Sequence, residues 1–144
     1  GMALVERLIA TAARVGVNDG RKMVQDPAAQ SALANAMVCV DECKTVLHRN
    51  FALMLERAQK GEPLSMPERV KMRYDSALVA DKCAKAVADL MFNSGASTIF
   101  RSHAINRAFR DIHTGRAHVA NNPAKYAWNL GGVSMGQDSS DFFL

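Results

Sequence analysis

Two long stretches of the sequence, residues 28–60 and 68–94, contain neither proline nor glycine. Apolar residues recur through both at heptad-like spacings, which is typical of long helices that pack side by side. A helix over Pro27–Lys60 would be about 50 Å long. The predicted seam residues are Leu33, Met37, Val40, Leu47, Phe51, Met54 and Ala58 in the first stretch and Val70, Tyr74, Ala77, Ala84, Ala88 and Met91 in the second.

Helix start and stop signals divide the rest of the chain. Asp26-Pro27 and Pro67 are typical of helix starts, and Gly61 and Gly95 are typical of helix ends. Shorter helices are predicted over residues 3–15, 105–119 and 123–130. We therefore expect one all-α domain over residues 1–144, an antiparallel four-helix bundle in which residues 131–144 form a flexible tail. Its apolar tip, residues 142–144, could dock on a neighbouring subunit, and Gly1 before the first methionine is typical of an expression-tag remnant.

Each long helix has one charged residue at a seam position. Lys44 occupies it in the first and Asp81 in the second. Opposite charges on neighbouring helices suggest a Lys44–Asp81 ion pair inside the bundle, although long side chains at seam edges also commonly extend to solvent.

Composition narrows the class of protein further. Hydrophobic residues make up 49% and charged residues 22% of the chain, which excludes wholesale disorder. No apolar run approaches the length of a membrane span, and the first residues lack the order of a signal peptide. The three cysteines lie within predicted helices and are expected to be reduced thiols of a cytoplasmic protein.

The basic residues are concentrated in one segment. Residues 101–125 contain five Lys or Arg against one Asp, which equals the net charge of +4 of the whole chain. This segment could bind an anion such as a phosphate, or form a solvated basic helix face. Nucleic acid is not expected, because no binding motif or aromatic-interleaved basic ribbon is present.

The sequence gives little support for a metal site or for any of the common catalytic motifs. Di-iron bundles need Glu-x-x-His pairs, and the sequence has none. Cys39 and Cys43 share a helix face, but two thiols do not complete a site, and no metal is expected. His113 and His118 are five residues apart, so they diverge on a straight helix. No phosphate loop, dinucleotide glycine pattern, Ser-His-Asp set or catalytic carboxylate pair occurs.

One stretch combines several features of a ligand site. A glycine turn, Gly95-Ala96-Ser97, precedes a helix that carries Arg107 and Arg110 on one face. His118 follows eight residues later, and backbone N–H groups near Ser97 could meet a phosphate. The same pattern also fits a capped turn and a solvated basic helix.

These residues resemble the C-terminal domain of the acyl-CoA dehydrogenase superfamily, and specifically its branch of flavin-dependent monooxygenases, the two-component class D aromatic hydroxylases. The resemblance covers nearly the whole chain and is most specific at Arg107-x-x-Arg110-Asp111 followed by His118. The other matching residues are Asp26-Pro27-Ala28-Ala29-Gln30, Leu33-Ala34, Lys44 where the family usually has Arg, Ser94-Gly95-Ala96-Ser97 and Asn122-Pro123.

The resemblance implies roles for particular residues. Dehydrogenases of this superfamily use a Glu after the last bundle helix to remove a substrate proton, but residues 112–125 contain no carboxylate. In the hydroxylase branch a histidine at the place of His118 lies near the flavin ring, where it helps to deprotonate a phenol or stabilises the flavin hydroperoxide. By the same resemblance, Gly95, Ala96, Ser97, Arg107 and Arg110 would lie near the flavin phosphates at a subunit contact. His113 has no counterpart in the family and is expected to be structural or on the surface.

The resemblance also implies a cofactor and partners. The cofactor would be reduced FMN or FAD, supplied by a flavin reductase, and the substrate an aromatic small molecule. The family's N-terminal helical and middle β domains are not in this sequence, so the chain alone is expected to retain no flavin. A homodimer or homotetramer is expected. Two alternatives stay open: a non-catalytic helical oligomerisation module, and an acyl-CoA dehydrogenase-like domain that binds a CoA thioester.

Overall fold

The computed structural model describes residues 22–142. The predicted helix over residues 3–15, Gly1 and the last two residues of the apolar tip lie outside this range. The described part contains four α-helices: α1 over Pro27–Lys60, α2 over Met66–Phe92, α3 over Ala104–Ala117 and α4 over Pro123–Ser134. Short 3-10 helices lie at Met23–Gln25, Ala96–Ile99 and Val119–Asn121. The prediction of an all-α bundle is confirmed.

Helix α2 is the central element, because it packs against α1, α3 and α4. It runs antiparallel to α1, as three successive contacts show: Arg57 with Glu68, Asn50 with Asp75, and Glu42 with Lys82. A buried cluster of Ala32, Ala36, Leu90 and Ile105 closes the end of the bundle where α1, α2 and α3 meet.

The helix boundaries follow from the capping residues. The Asp26 carboxylate accepts a hydrogen bond from the Ala28 N–H at 3.0 Å, and Pro27 occupies the first turn of α1. Gly61 ends α1 in the left-handed region at φ 67°. Ser65 and Glu68 form a capping box at the start of α2. The predicted ends of the two long helices are therefore within one or two residues of the observed ones.

The predicted seam of α1 is wrong by one residue. The buried residues are Ala32, Ala36, Cys43 and Asn50, each preceding a predicted position. Small side chains at the first three positions let α1 approach α2 closely, where Ala77 and Ala84 are also buried. The larger apolar side chains are left outside, and Phe51 is 62% exposed.

The predicted Lys44–Asp81 pair is not formed. Lys44 is exposed, because the true register of α1 turns it away from α2. Asp81 is buried as its seam position predicted, but its carboxylate binds Arg116 of α3 and Lys85 of α2, each at 2.6 Å.

The predicted tail does not begin at residue 131, because the last helix is longer than expected. Helix α4 continues through Gly131 and Gly132 to Ser134. The chain then folds back, and the buried Asn129 side chain accepts a hydrogen bond from the Ser140 N–H at 2.8 Å. Asp141 is buried and contacts Lys125 at 3.3 Å.

None of the helices within residues 22–142 is both long enough and apolar enough to cross a membrane.

Candidate functional site

The Gly95–Ser97 turn is an exposed and well-braced connection between α2 and α3. Gly95 adopts φ 81°, a left-handed conformation that favours glycine. The Thr98 hydroxyl is buried and donates to the carbonyl oxygens of Met91 and Gly95, at 3.1 and 2.8 Å. Asn106 Nδ2 donates to the Ile99 carbonyl at 3.1 Å, which fixes the turn against the start of α3.

Arg107 and Arg110 lie in the first half of α3 with exposed side chains. Arg107 Nε is 3.7 Å from the Asp111 carboxylate, and Arg110 Nε donates to Asn106 Oδ1 at 3.1 Å. Both contacts use Nε, so neither occupies the pair of terminal guanidinium nitrogens. That pair is the fork that matches a phosphate, and the contacts of Arg107 and Arg110 leave it unoccupied.

His118 is the residue at which α3 ends. Its backbone leaves the helix at ψ 137°, and its ring Nδ1 accepts a hydrogen bond from the Ala120 N–H at 3.1 Å. Because a backbone N–H can only donate, Nδ1 carries no proton and the proton of the neutral ring is on Nε2. His118 thus presents an N–H donor at Nε2, on an exposed part of the surface.

The predicted site residues are spread along the whole length of α3. The glycine turn packs at its N-terminal end with Arg107 nearby, and His118 follows its last residue. Along the helix axis, His118 is about 12 Å from Arg110 and about 17 Å from Arg107, and the glycine turn lies beyond the far end of α3. An extended ligand would be needed to contact both ends.

His113 has a separate, local role. Its Nδ1 donates to the Phe109 carbonyl at 2.8 Å, and the two rings are 4.0 Å apart between centroids. Since a carbonyl oxygen only accepts, the proton of the neutral ring is on Nδ1. His113 and His118 therefore hold opposite tautomers, and His113 packs along its own helix.

Two of the five cations in the basic segment are paired with carboxylates from elsewhere. Arg116 binds the buried Asp81 of α2, and Lys125 contacts Asp141. The pKa of Asp81 is lowered, first by its hydrogen bond from Lys85 and then by Arg116, against the opposing effect of burial. The charge excess of residues 101–125 is consequently not a continuous basic patch, and only part of it is available to an anion.

A cleft that sequence reasoning missed lies between α1, α2 and α3. Its volume is about 460 Å³ and its walls are mainly apolar. The lining residues are Ala36, Cys39 and Val40 of α1, Cys83, Ala86, Val87 and Leu90 of α2, and Ala108, Asp111 and Ile112 of α3. His118 is not among them. The seam pattern could not reveal the cleft, because the same apolar residues also suit a closed bundle.

The chain is similar in sequence to known proteins over most of its length. The model of the family "Acyl-CoA dehydrogenase, C-terminal domain" matches residues 2–123. The oxygenase subunit HsaA of a flavin-dependent monooxygenase from Rhodococcus jostii (strain RHA1) is 28% identical over 106 residues, 74% of this chain and 28% of HsaA. HsaA from Mycobacterium tuberculosis is 26% identical over 122 residues, 85% of this chain and 31% of that protein. The chain therefore spans less than a third of the length of these relatives.

Solved structures share the fold. The crystal structure of 3-HSA hydroxylase from Rhodococcus sp. RHA1 matches with a TM-score of 0.86 at 25% identity, over 99% of this chain and 36% of that one. XiaF from Streptomyces sp., solved in complex with FADH2 and glycerol, matches with a TM-score of 0.89 at 19% identity, over 97% of this chain and 36% of XiaF.

The all-α fold is the one that this family predicts, and the family model matches residues 2–123. The chain belongs to the acyl-CoA dehydrogenase C-terminal domain family.

Proposed function

We propose that this chain forms the C-terminal helical part of the oxygenase component of a two-component flavin-dependent monooxygenase that hydroxylates an aromatic substrate. The observation that carries the proposal is His118, an exposed imidazole at the end of α3 in a segment that lacks the carboxylate a dehydrogenase needs. The similarity to HsaA oxygenase subunits supports the same class of reaction.

In this proposal the chain supplies one wall of the site. Reduced FMN or FAD, delivered by a separate reductase, would supply the activation of oxygen. Arg107 and Arg110 would bind the flavin phosphates through their free guanidinium forks, and the Gly95–Ser97 turn would approach the same group. His118 would contact the reacting oxygen atoms at the other end of α3. The exposure of these residues fits a site that other domains or subunits complete.

The cap on His118 supports one of the two roles that the resemblance leaves open. A general base must accept a proton on the nitrogen that faces the substrate, but here Nε2 already carries one and Nδ1 is engaged by Ala120. A donor needs no change of tautomer. We therefore propose that His118 donates a hydrogen bond from Nε2 to a phenolic or flavin-associated oxygen, and that it lowers the barrier by stabilising negative charge there.

The experiment is an assay of a protein in which this chain follows N-terminal and middle domains of the HsaA type. With reduced flavin and oxygen, we expect an aromatic substrate to gain one hydroxyl group, as measured by mass spectrometry. Oxidation of reduced flavin without hydroxylated product across a panel of phenols would contradict the proposal. Oxidation of a CoA thioester instead would favour the dehydrogenase-like alternative.

The non-catalytic alternative is favoured by one observation, the apolar face of α1. Met37, Phe51 and Leu55 lie on one stripe of the helix and are 50%, 62% and 60% exposed. Such a stripe is suited to contact with a second copy of the chain. Self-association is also compatible with the catalytic proposal, so only the assay above separates the two functions.

A further inference from the structure

All three cysteines of the chain meet at one point between α1 and α2. Cys39 and Cys43 are one turn apart on α1, and Cys83 faces them from α2. Their Sγ atoms all lie within 4.8 Å of one another. The sequence showed only the first pair, because Cys83 is 40 residues further along and is brought in by the antiparallel packing of the two helices.

The spacing of the sulfurs suits a single ion bound by three of them. Ligand sulfurs about 2.3 Å from a metal in a trigonal plane are separated by about 4.0 Å, so small rotations about χ1 would bring the three atoms into place. In the described residues the group contains cysteine sulfur alone, without a carboxylate or imidazole. Structural zinc prefers four ligands, whereas an all-thiolate site with three sulfurs suits a soft ion such as Cu(I).

An ion can reach the sulfurs from the surface. Cys39 and Cys83 line the 460 Å³ cleft between α1, α2 and α3, and Cys43 lines a separate cavity of about 40 Å³ between α1 and α2. The ion pair between Lys82 and Glu42, at 2.9 Å, links α1 and α2 beside this smaller cavity.

The surroundings of the thiols contain groups that raise their pKa values and groups that lower them. Burial raises the pKa of Cys43 to about 12, with further increases from the neighbouring cysteines. Burial also raises the pKa of Cys39, while Lys82 opposes that increase. An ion with strong affinity for sulfur is therefore needed to displace the protons of Cys39 and Cys43. The Lys82 ammonium partly offsets the negative charge that the bound thiolates would carry.

We propose that Cys39, Cys43 and Cys83 form a three-sulfur binding site for one soft metal cation of the Cu(I) class. On binding, each S–H bond is replaced by an S–Cu bond and one proton is released per coordinated thiol, with no transfer of electrons. The site is independent of the proposed oxygenase function and lies away from His118.

The test is a titration of the reduced chain with Cu(I) under anaerobic conditions, in competition with a colorimetric Cu(I) chelator. We expect one ion per chain and an X-ray absorption spectrum with three sulfur neighbours. Cys39→Ser and Cys83→Ser should each lower the affinity by at least about 100-fold, since even loss of an outer-shell partner commonly costs 10–100-fold.

The matched control is Met54→Leu, which removes a half-exposed soft sulfur from the same helix outside the cluster and should leave the affinity unchanged. Helicity measured by circular dichroism checks that each variant is folded. A substitution at the buried Cys43 could unfold the chain, but Cys39 is only half-buried, so Cys39→Ser still tests the proposal in that case. No binding in the presence of the chelator, two sulfur neighbours only, or unchanged affinity in the serine variants would overturn the proposal.

Discussion

At the scale of single residues, Asp81 shows how a charge is kept inside the bundle. Its side chain is 5% exposed, and two cations hold it, Arg116 across the helix interface and Lys85 one turn along its own helix. A buried carboxylate requires such partners, because its desolvation is otherwise unfavourable by several kcal/mol.

Arg116→Met should therefore lower the free energy of unfolding by about 1–3 kcal/mol, since it removes one charged partner of a buried carboxylate. Arg107→Met is the matched control on the same helix, because its contact with Asp111 is long and exposed, and it should change stability by less than about 0.5 kcal/mol. Urea denaturation at pH 7 measures both, and equal effects would show that the Asp81 contact contributes no more than a surface pair.

The sequence predicted the burial of Asp81 but not its partner. The seam position of residue 81 follows from the spacing of apolar residues on its own helix. The partner depends on the rotation of a different helix, and a shift of one residue in α1 was enough to expose Lys44. For the same reason Cys39 and Cys43 could be placed on one face, whereas the approach of Cys83 could not be predicted.

At the scale of elements, the hydrogen bonds that cap the start of α2 make the stability of the α1–α2 connection depend on pH. Glu68 accepts hydrogen bonds from the Ser65 hydroxyl and backbone N–H, and from Arg57 of α1 at 2.9 Å. These contacts, the Ser65 hydrogen bonds first, lower the pKa of Glu68 to about 2. Because the folded pKa is below its unfolded value of 4.5, the stabilisation is complete above pH 4.5 and is lost as the pH falls toward 2.

Glu68→Gln keeps a capping-box residue but removes the titrating group. We expect the variant to lose less stability than the original chain between pH 5 and pH 3, as measured by thermal unfolding. Glu62→Gln is the matched control, because it removes the other carboxylate bound to Arg57 and leaves the cap intact. If Glu68→Gln and the original chain show the same pH dependence, the cap is not the source of the effect.

Helix boundaries could be predicted from the sequence where a residue type has one common structural role at a helix end. Asp26-Pro27 and Gly61 are such signals, and the structure agrees with both. Glycines 131 and 132 were misleading, since they suggested a tail but lie within α4. A Cβ on Gly132 would be 2.8 Å from Gln137 Oε1, so the returning chain packs closely against this position, although the end of the Gln137 side chain could rotate away. That close contact depends on tertiary structure and leaves no mark in the local sequence.

At the scale of the whole molecule, the isolated chain leaves large apolar side chains uncovered. The stripe on α1 is one example, and Trp128 on α4 is 67% exposed. A bundle whose large residues face outward is suited to assembly with further protein surface.

Phe51→Glu should therefore shift the chain toward monomer in light scattering at micromolar concentration, because a charge in an apolar contact is unfavourable. Thr45→Glu adds the same charge at an exposed position of α1 away from the stripe and should leave the oligomer intact. If the chain without substitutions is already monomeric across the same concentrations, self-association through this face is contradicted.

Turnover in the assembled monooxygenase decides whether His118 acts in the reaction through its Nε2 proton, as we propose. His118→Asn preserves a side chain that can cap residues 119–121 but withdraws the imidazole, and we expect hydroxylation to fall by about 10²–10³-fold, as for loss of an oxyanion donor. His113→Ala, five residues earlier on α3, should leave turnover close to that of the original protein. Turnover in the His118→Asn variant equal to that of the original protein would contradict the assignment. If the variant instead loses the acidic limb of the pH–rate profile, His118 acts as a base and not as a hydrogen-bond donor.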